Sequence, residues 1–421
     1  MKNIAIIGLG YVGLPLLHAF SFKYKTAGYD INLSRINELK EGFDRTNELN
    51  SEQMKELLSN ETILTVDSED IRHCNVYIIT VPTPIDEKNE PDLTPIIKST
   101  EMVASVLNEG DIVIYESTVY PGVTEDICVP IIEDISKLKY NESFYCGYSP
   151  ERINPGDKVH TVTNIVKVTS GSTPEIADQV DDLYKSIITA GTYKAESIKV
   201  AEAAKVIENT QRDVNIALVN ELSMIFDLLD IDTNAVLNAA DTKWNFNKFM
   251  PGLVGGHCIG VDPYYLTYKA QSLGYIPNLI LDARQVNNGM SKIVAEKAVR
   301  FMISENKNLN GADVLFMGVT FKEDCPDMRN SKALDIIKYM EEYKCNVYVF
   351  DDWVDKSDRE SKGLNFVDEL PLGSEKFSSI IIATGHSAYS DITYEQFASM
   401  SKGTPIIIDV KGVTDCYSWK L

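Results

Sequence analysis

The sequence predicts an α/β protein with two doubly wound parallel-sheet domains joined by a long central helix. Short apolar runs alternate with helical patterns up to about residue 195, as in parallel sheets covered by helices on both faces. Residues 196–229 lack glycine and proline and repeat apolar residues at helical spacing, which predicts one helix of roughly 45–50 Å. A second strand–helix alternation begins at residue 312. We therefore expect three segments, 1–195, 196–300 and 301–421.

Length and charge restrict the class of protein. A chain of 421 residues is too long for one hydrophobic core, and a net charge of −22 argues against nucleic-acid or anionic-membrane partners, which need clustered basic residues. No apolar run approaches the roughly 20 residues that span a bilayer, and the N-terminus enters a strand without a signal-peptide layout. Seven scattered cysteines without a CxxC pair indicate reduced thiols and no metal site. We expect a cytoplasmic protein.

A dinucleotide-binding fingerprint follows the first strand. The apolar run at residues 3–7 leads into G-x-G-x-x-G at residues 8–13, which opens an apolar helix. Such glycines permit a tight turn, close approach to a pyrophosphate and close helix packing. The next strand ends in Asp30, whose carboxylate would accept hydrogen bonds from ribose hydroxyls and repel a 2′-phosphate, which favours NAD over NADP. The alternative for Asp30 is a strand-end cap.

Polar residues follow several later strands of this first segment. Runs at 75–81, 111–115, 145–148 and 165–169 read as strands. Thr83 lies in a Pro-Thr-Pro turn after the first of these, and Ser117 and Thr118 follow the second. Hydroxyls at the carboxyl ends of such strands lie where doubly wound sheets bind ligands, although capping of a helix by Ser117 or Thr118 is an equal alternative.

Two stretches in the middle of the chain carry candidate chemistry. Lys205, Asn209 and Arg212 fall on one stripe of the long helix. This stripe could be a solvated polar face without a functional role, and we accept that interpretation for Arg212. Lys205 and Asn209 lie among alanines and valines, and a desolvated lysine is a candidate acid–base or electrostatic group. Residues 249–265 form a glycine-rich loop in which Gly255 and Gly256 would allow close approach to Cys258, with Asp262 in reach. The alternative is a flexible loop with a buried, inert cysteine.

The last segment lacks a second glycine fingerprint. Its strands are expected within 312–321 and at 346–350, 379–383 and 405–409. The charged loop after the first strand contains Lys322 and Arg329, which could meet phosphates or carboxylates. A solvated loop with internal salt bridges is equally possible for each.

In combination, these motifs resemble the UDP-glucose/GDP-mannose dehydrogenase family along essentially the whole chain. The resemblance is carried by Gly8-x-Gly-x-x-Gly13, Glu116-Ser-Thr118, Pro150-Glu151, Lys205-x-x-x-Asn209, Gly255-Gly-x-Cys258-x-x-x-Asp262 and Phe321-Lys322-x-x-x-x-Asp327-x-Arg329. It implies two Rossmann-like domains joined by a helix that forms a homodimer. It also implies an NAD-dependent, four-electron oxidation of a UDP-sugar 6-hydroxymethyl group to a carboxylate.

The resemblance also implies roles for single residues. Cys258 resembles the nucleophile that forms a thiohemiacetal and then a thioester. Lys205 and Asp262 resemble the groups that stabilise the oxyanion and move protons. Asn209 resembles the residue that donates a hydrogen bond to the oxyanion. Glu151 and Thr118 resemble the residues that take part in water and proton handling. The expected cofactor contacts are Gly8, Gly10, Tyr11, Val12, Gly13, Asp30, Arg35, Thr83, Thr118 and Arg329. The expected substrate contacts are Glu151, Arg152, Lys205, Asn209, Gly255, His257 and the anchoring Lys322.

Two positions depart from the pattern common among UDP-glucose members. His257 replaces the serine before the nucleophile, and Val261 replaces the lysine before the aspartate. This stretch is similar to the subgroup that oxidises UDP-N-acetylglucosamine or UDP-N-acetylgalactosamine for surface polysaccharides. We therefore expect an N-acetylated substrate, with UDP-glucose as the alternative. A non-catalytic protein that binds NAD and a nucleotide sugar is a third hypothesis, weakened by the joint presence of Cys258, Lys205 and Asp262.

Overall fold

The computed structural model describes residues 2–153, 162–256, 259–361 and 363–421. The chain forms two compact units. The first comprises the residues up to Glu208 together with Tyr264–Tyr275, and the second comprises Asn209–Pro263 and Ile276–Leu421. The division into segments at 195 and 300 stays a prediction. No helix in the described ranges is long and apolar enough to cross a membrane.

The first unit is built on an eight-stranded sheet of order β3-β2-β1-β4-β5-β6-β7-β8. Neighbouring strands run parallel except β6 and β7, which pair antiparallel. The strands are β1 (Asn3–Ile7), β2 (Lys25–Tyr29), β3 (Ile63–Thr65), β4 (Val76–Ile79), β5 (Asp111–Tyr115), β6 (Phe144–Tyr148), β7 (Lys167–Gly171) and β8 (Thr192–Lys194). The strands β1, β4 and β5 are almost wholly buried, which is why each reads as a continuous apolar run.

Helices pack against this sheet and contribute to its hydrophobic core. They are α1 (Gly13–Ser21), α2 (Leu33–Lys40), α3 (Ser51–Ser59), α4 (Thr94–Val106), α5 (Val129–Ser136) and α6 (Pro174–Lys185), with a 3₁₀ helix at Ser68–Ile71 and a π-helix at Val123–Cys128. Leu14, Leu17 and Phe20 of α1 are fully buried in a core with the strand residues Ile4 and Ile6. This packing fixes the start of α1 next to the carboxyl end of β1.

The long helix is present as predicted. It is α7 (Ile198–Leu228), a single element of 31 residues whose ends lie close to the predicted limits of 196 and 229. It is followed by α8 (Thr233–Asp241), α9 (Asp262–Ser272) and α10 (Asn278–Ser304). The loop predicted at residues 249–265 is confirmed for the described part of 249–261. The prediction is wrong for residues 262–265, which form the first turn of α9; the proline at position 263 suits the start of a helix.

The second unit contains a five-stranded, all-parallel sheet of order β10-β9-β11-β12-β13. Its strands are β9 (Asp313–Met317), β10 (Asn346–Phe350), β11 (Ser379–Ile382), β12 (Ile407–Asp409) and β13 (Trp419–Lys420). The remaining helices are α11 (Ala333–Glu342), α12 (Lys356–Ser361) and α13 (Tyr394–Met400), with a 3₁₀ helix at Ser387–Asp391. The predicted fold of two parallel-sheet domains with a long connecting helix is confirmed.

Candidate active site

The glycine-rich loop between β1 and α1 has the shape that a dinucleotide requires. Gly8 has a φ of 94°, and its N–H donates to Tyr29 O at 2.8 Å. A Cβ atom added to Gly13 would lie 1.9 Å from Gly8 O, so only glycine allows this close packing. A Cβ atom added to Gly10 would meet no atom within 4 Å, which leaves this side of the loop open to a ligand. Because α1 begins without a side-chain cap or an acidic first turn, its N-terminus suits a pyrophosphate.

Asp30 supports this loop. Its carboxylate accepts hydrogen bonds from Leu9 N–H and Asn32 N–H, each at 2.9 Å. These contacts agree with the strand-end cap considered for Asp30. Each carboxylate oxygen can accept a second hydrogen bond, so the cap does not compete with ribose binding. The ribose contact stays a prediction.

Arg35 holds the same loop from its protein side. The guanidinium is buried, and its Nε donates to Leu9 O at 2.8 Å. Its two Nη atoms pair with Glu38 at 2.5 Å and Asp44 at 2.8 Å. Burial of the Asp44 carboxyl opposes ionisation, but hydrogen bonds from Thr46, the Leu49 N–H and Arg35 outweigh it and lower the pKa of Asp44. These contacts give Arg35 a structural role; its direct contact with the cofactor stays a prediction.

The turns after β4 and β5 are tied to each other and to α9. Ser117 Oγ donates to Val81 O at 2.7 Å, so this hydroxyl links two strand ends and caps no helix. The Tyr265 hydroxyl donates to Thr83 O at 2.8 Å. Glu202 of α7 accepts from Gly122 N–H at 2.6 Å and Thr124 N–H at 3.0 Å. The half-buried Thr118 therefore lies in a segment anchored at both ends.

Glu151 is joined to a buried charged cluster that the sequence analysis did not identify. Its Oε1 accepts from the N–H groups of Arg152 and Ile153, and its Oε2 lies 3.2 Å from Lys167 Nζ. The same Nζ atom lies 2.7 Å from Glu116 Oε2. The signal that could have revealed it is a lysine that opens a strand with otherwise small and apolar residues. Arg152 itself pairs with Glu208 at 2.8 Å.

The polar stripe on α7 is buried where the sequence suggested. Lys205 and Asn209 are each 8% exposed, whereas Arg212 is exposed. In the second unit, Asn209 Nδ2 donates to Asp262 Oδ2 at 2.6 Å, and Asp262 is also buried. This contact orients a carboxylate at the first residue of α9. Two residues that are predicted to act in catalysis thus lie together in the second unit.

Gly255 and Gly256, in the glycine-rich loop that starts at residue 249, pack on the loop that follows β9. A Cβ atom added to Gly255 would lie 2.5 Å from Asn330 O, and one added to Gly256 would lie 2.8 Å from the Phe321 ring. Gly256, with a φ of 81°, donates its N–H to Asn330 O at 3.1 Å. These glycines are therefore required by packing within the second unit. The predicted residues His257 and Cys258 lie outside the described residues.

The start of the same loop is held by a buried amide. Asn220 of α7 accepts from Gly252 N–H at 2.8 Å and donates to Gly252 O at 3.0 Å. Its Nδ2 also donates to Asn287 Oδ1 of α10 at 2.8 Å. This two-sided contact fixes the backbone ahead of the predicted nucleophile. The sequence analysis did not find Asn220, because an amide in a long helix gives no signal of its partner.

The two cationic residues after β9 that are predicted to bind anions already contact protein side chains. The Arg329 guanidinium forms a two-point ion pair with Asp327, with Nε and Nη2 at 2.9 and 2.7 Å from the two carboxylate oxygens. This agrees with the internal salt bridge considered for that residue. Lys322 Nζ lies 5.7 Å from the centre of the Phe321 ring. The ligand roles of both cations stay predictions.

The cysteines elsewhere in the described ranges are free thiols. Burial raises the pKa of Cys74 to about 12 and that of Cys128 to about 11, and it also raises the pKa of Cys146, Cys325 and Cys345. Since the thiolate is the nucleophilic form, these five are poor nucleophiles.

Comparison with known proteins identifies the family. Residues 2–188 match the NAD binding domain of the UDP-glucose/GDP-mannose dehydrogenase family, residues 199–289 its central domain and residues 315–416 its UDP binding domain. The chain is 54% identical over 416 residues to UDP-N-acetyl-D-glucosamine 6-dehydrogenase of Pseudomonas aeruginosa, covering 98% of this chain and 97% of the relative. It is also 54% identical over 412 residues to the enzyme of that name in Salmonella typhi, covering 98% and 96%.

A solved structure agrees with these matches. The UDP-D-ManNAc dehydrogenase of Pyrococcus horikoshii superposes with a TM-score of 0.90 at 28% identity and covers 100% of this chain and 98% of its own. Similarity therefore extends over both units and the long helix. Matches to all three domains, in order and over most of the sequence, show that this chain belongs to the UDP-glucose/GDP-mannose dehydrogenase family and is an NAD-dependent UDP-sugar dehydrogenase.

Proposed function

We propose that the protein is a UDP-N-acetylhexosamine 6-dehydrogenase that oxidises the sugar 6-hydroxymethyl group to a carboxylate, with UDP-N-acetylglucosamine as the preferred substrate. The observation that carries this proposal is the 54% identity, over nearly the whole chain, to two proteins named for that activity. The loop residues His257 and Val261 support it, because they depart from the UDP-glucose pattern. UDP-glucose is the second candidate, with the same chemistry.

In the proposed mechanism Cys258 forms the covalent intermediate. NAD, when bound, accepts a hydride in each of two oxidations. After the alcohol is oxidised, the Cys258 thiolate adds to the aldehyde carbon and gives a thiohemiacetal. Loss of a second hydride and of the hydroxyl proton gives a thioester, and water then displaces the thiol to release the carboxylate. A covalent intermediate keeps the reactive aldehyde from leaving between the two oxidations. Burial raises the pKa of five of the other six cysteines, which disfavours those five as nucleophiles. Cys258 itself is assigned on its place in the family motif.

We assign proton transfer and charge stabilisation to buried polar residues. Lys205 and Asn209 provide a cation and an amide donor for the oxyanion, an effect typically worth about 3–4 kcal/mol per donor. Asp262, oriented by Asn209, accepts and returns protons. Glu151 and Thr118 handle the proton and the water of the hydrolytic step. The ordered carboxylate contacts of Glu151 support this assignment.

We further propose a homodimer formed through α7. In the second unit this helix exposes Leu218, Ile225 and Leu228, and the last of these is 84% exposed. A row of exposed large apolar side chains on a helix is typical of a surface covered by another chain. Light scattering of the purified protein should give about twice the chain mass of 47.0 kDa. A mass of one chain would contradict the dimer.

The substrate assignment is tested by parallel NADH formation. UDP-N-acetylglucosamine, UDP-N-acetylgalactosamine and UDP-glucose are compared at equal concentration, with kcat/KM as the measure. We expect the highest kcat/KM with UDP-N-acetylglucosamine and two NADH per sugar oxidised. Turnover with UDP-glucose alone would refute the N-acetylhexosamine assignment and leave the second candidate.

The covalent mechanism is tested by Cys258→Ser. Without the thiol no thioester can form, so this variant should stop after at most one hydride transfer per sugar. Single-turnover NADH yield is the measurement, and Cys416→Ser is the control because it removes a half-buried thiol outside the family motif. A yield of two NADH from Cys258→Ser would rule out the thioester.

The product is assigned as a precursor of bacterial surface polysaccharide. This assignment rests on similarity to the subgroup defined by the loop around Cys258. Deletion of the gene should remove the N-acetylated uronic acid from surface polysaccharide, as measured by sugar analysis. An unchanged composition would contradict it.

A further inference from the structure

Two carboxylates share one ammonium group in the interior of the first unit. Lys167 Nζ lies 2.7 Å from Glu116 Oε2 and 3.2 Å from Glu151 Oε2. The side chains of Lys167 and Glu116 are 3% and 0% exposed, while that of Glu151 is 12% exposed. Glu151 is therefore the member of the cluster with access to solvent.

The three residues of the cluster come from different parts of the chain and meet near the carboxyl ends of β5 and β6. Glu116 directly follows β5, Glu151 lies in the loop after β6, and Lys167 opens β7, which runs antiparallel to β6. Tyr184 of α6 donates its hydroxyl to Glu116 Oε1. The antiparallel strand is what brings a lysine at its start to carboxylates that follow the ends of its neighbours.

The charges within the cluster do not balance when all groups are ionised. Burial raises the pKa of Glu116 to about 7, although Lys167 acts against this shift. Burial disfavours the charged form of Lys167, but the two carboxylates outweigh it and raise the pKa of the ammonium. Burial therefore favours the neutral form of Glu116 below about pH 7.

Arg152 and Tyr184 are titratable residues next to the cluster in the described ranges. Arg152, next to Glu151, is occupied by an ion pair with Glu208 of α7 and by a hydrogen bond to Val166 O. Tyr184 is bound to Glu116, and Lys167 Nζ lies 5.4 Å from the centre of its ring. Among these groups, Lys167 is the cation in contact with the Glu151 carboxylate.

We propose that Lys167 is a positioning residue that holds the Glu151 carboxylate in place, beside a positive charge, for its part in the reaction. The inference rests on the proposed role of Glu151 in water and proton handling. Two backbone N–H groups fix one oxygen of Glu151, and the ammonium fixes the other. The carboxylate is thus held at both oxygens while one edge faces solvent.

The test is the pH dependence of kcat for Lys167→Met. A neighbouring cation favours the ionised form of a carboxylate, so loss of the Lys167 charge should move the acid limb of kcat upward. Lys167→Arg restores the charge and should return the limb toward its wild-type position. Lys194→Met removes an exposed lysine from the same unit, paired with Asp178, and should leave the profile unchanged. An unshifted acid limb in Lys167→Met would overturn the proposal.

Further variants separate this contact from general damage to the cluster. Glu116→Gln alters the cluster but keeps the contact between Lys167 and Glu151, so its acid limb should stay near that of the wild type; an equal upward shift would overturn the proposal. If Lys167→Met does not fold, Lys167→Gln, which keeps a hydrogen-bond donor without the charge, is judged by the same criterion. Glu151→Gln tests the proposed role of Glu151, and a wild-type kcat in this variant would refute that role. If Glu151→Gln turns over slowly but the acid limb of Lys167→Met is not shifted, only the inference about Lys167 is refuted.

Discussion

Arg35→Met should destabilise the first unit because it removes the buried cation that holds the glycine-rich loop between β1 and α1. The Arg35 side chain is 6% exposed and the Asp44 side chain 0% exposed. Removing one partner of a buried ion pair typically costs about 3–5 kcal/mol. Asp44 would keep hydrogen bonds from the N–H groups of Thr46, Glu48 and Leu49, so we expect a loss near the lower value, about 3 kcal/mol.

This loss should appear as a lower melting temperature. For a unit of this size, about 3 kcal/mol corresponds to a decrease in Tm of about 6–12 °C. Arg45→Met is the matched control, since Arg45 also pairs with Glu38 but its side chain is 46% exposed. An exposed pair contributes about 0–1 kcal/mol, so this variant should lose less than about 4 °C. Equal losses in calorimetry would refute the reasoning.

The difference between wild type and Arg35→Met should also depend on pH. The folded-state pKa of Asp44 is lowered, so its ionised form stabilises the protein above the unfolded pKa of about 3.9. That stabilisation is lost as pH falls through the lower, folded-state pKa. The Tm difference should therefore be complete near pH 7 and shrink in acid below about pH 4. A difference that is constant down to pH 2 would show that the ion pair is not its source.

Two predictions concern the cofactor. Gly13→Ala should lower the Tm of the cofactor-free protein, because its Cβ would lie 1.9 Å from Gly8 O. Gly10→Ala should keep the wild-type Tm, because its Cβ would meet no atom within 4 Å, but it should raise the Kd for NAD. Equal melting temperatures of the two variants would contradict this distinction. Asp30→Ala should raise the KM for NAD and reduce discrimination against NADP, because it removes the expected ribose acceptor. An unchanged cofactor KM in steady-state assays would count against the assignment.

The strongest sequence signals were those that depend on neighbouring residues in the chain. Buried parallel strands such as β1 and β5 are continuous apolar runs, and α7 is a long stretch without glycine or proline. The strands β3, β8 and β13 were not predicted, because segments of three, three and two residues are too short to show a period. The antiparallel pairing of β6 and β7 also had no local signal, since strand direction depends on the path of the chain between them.

The sequence alone determined the glycine fingerprint, the alternation of strands and helices, the long helix and the combination of motifs that identifies the family. Only the tertiary structure decided which charged groups meet. The contact of Asn209 with Asp262 and that of Lys167 with Glu116 and Glu151 join residues far apart in the chain. Such contacts follow from strand order and helix packing, whereas a sequence pattern reports only whether each residue suits its own local environment.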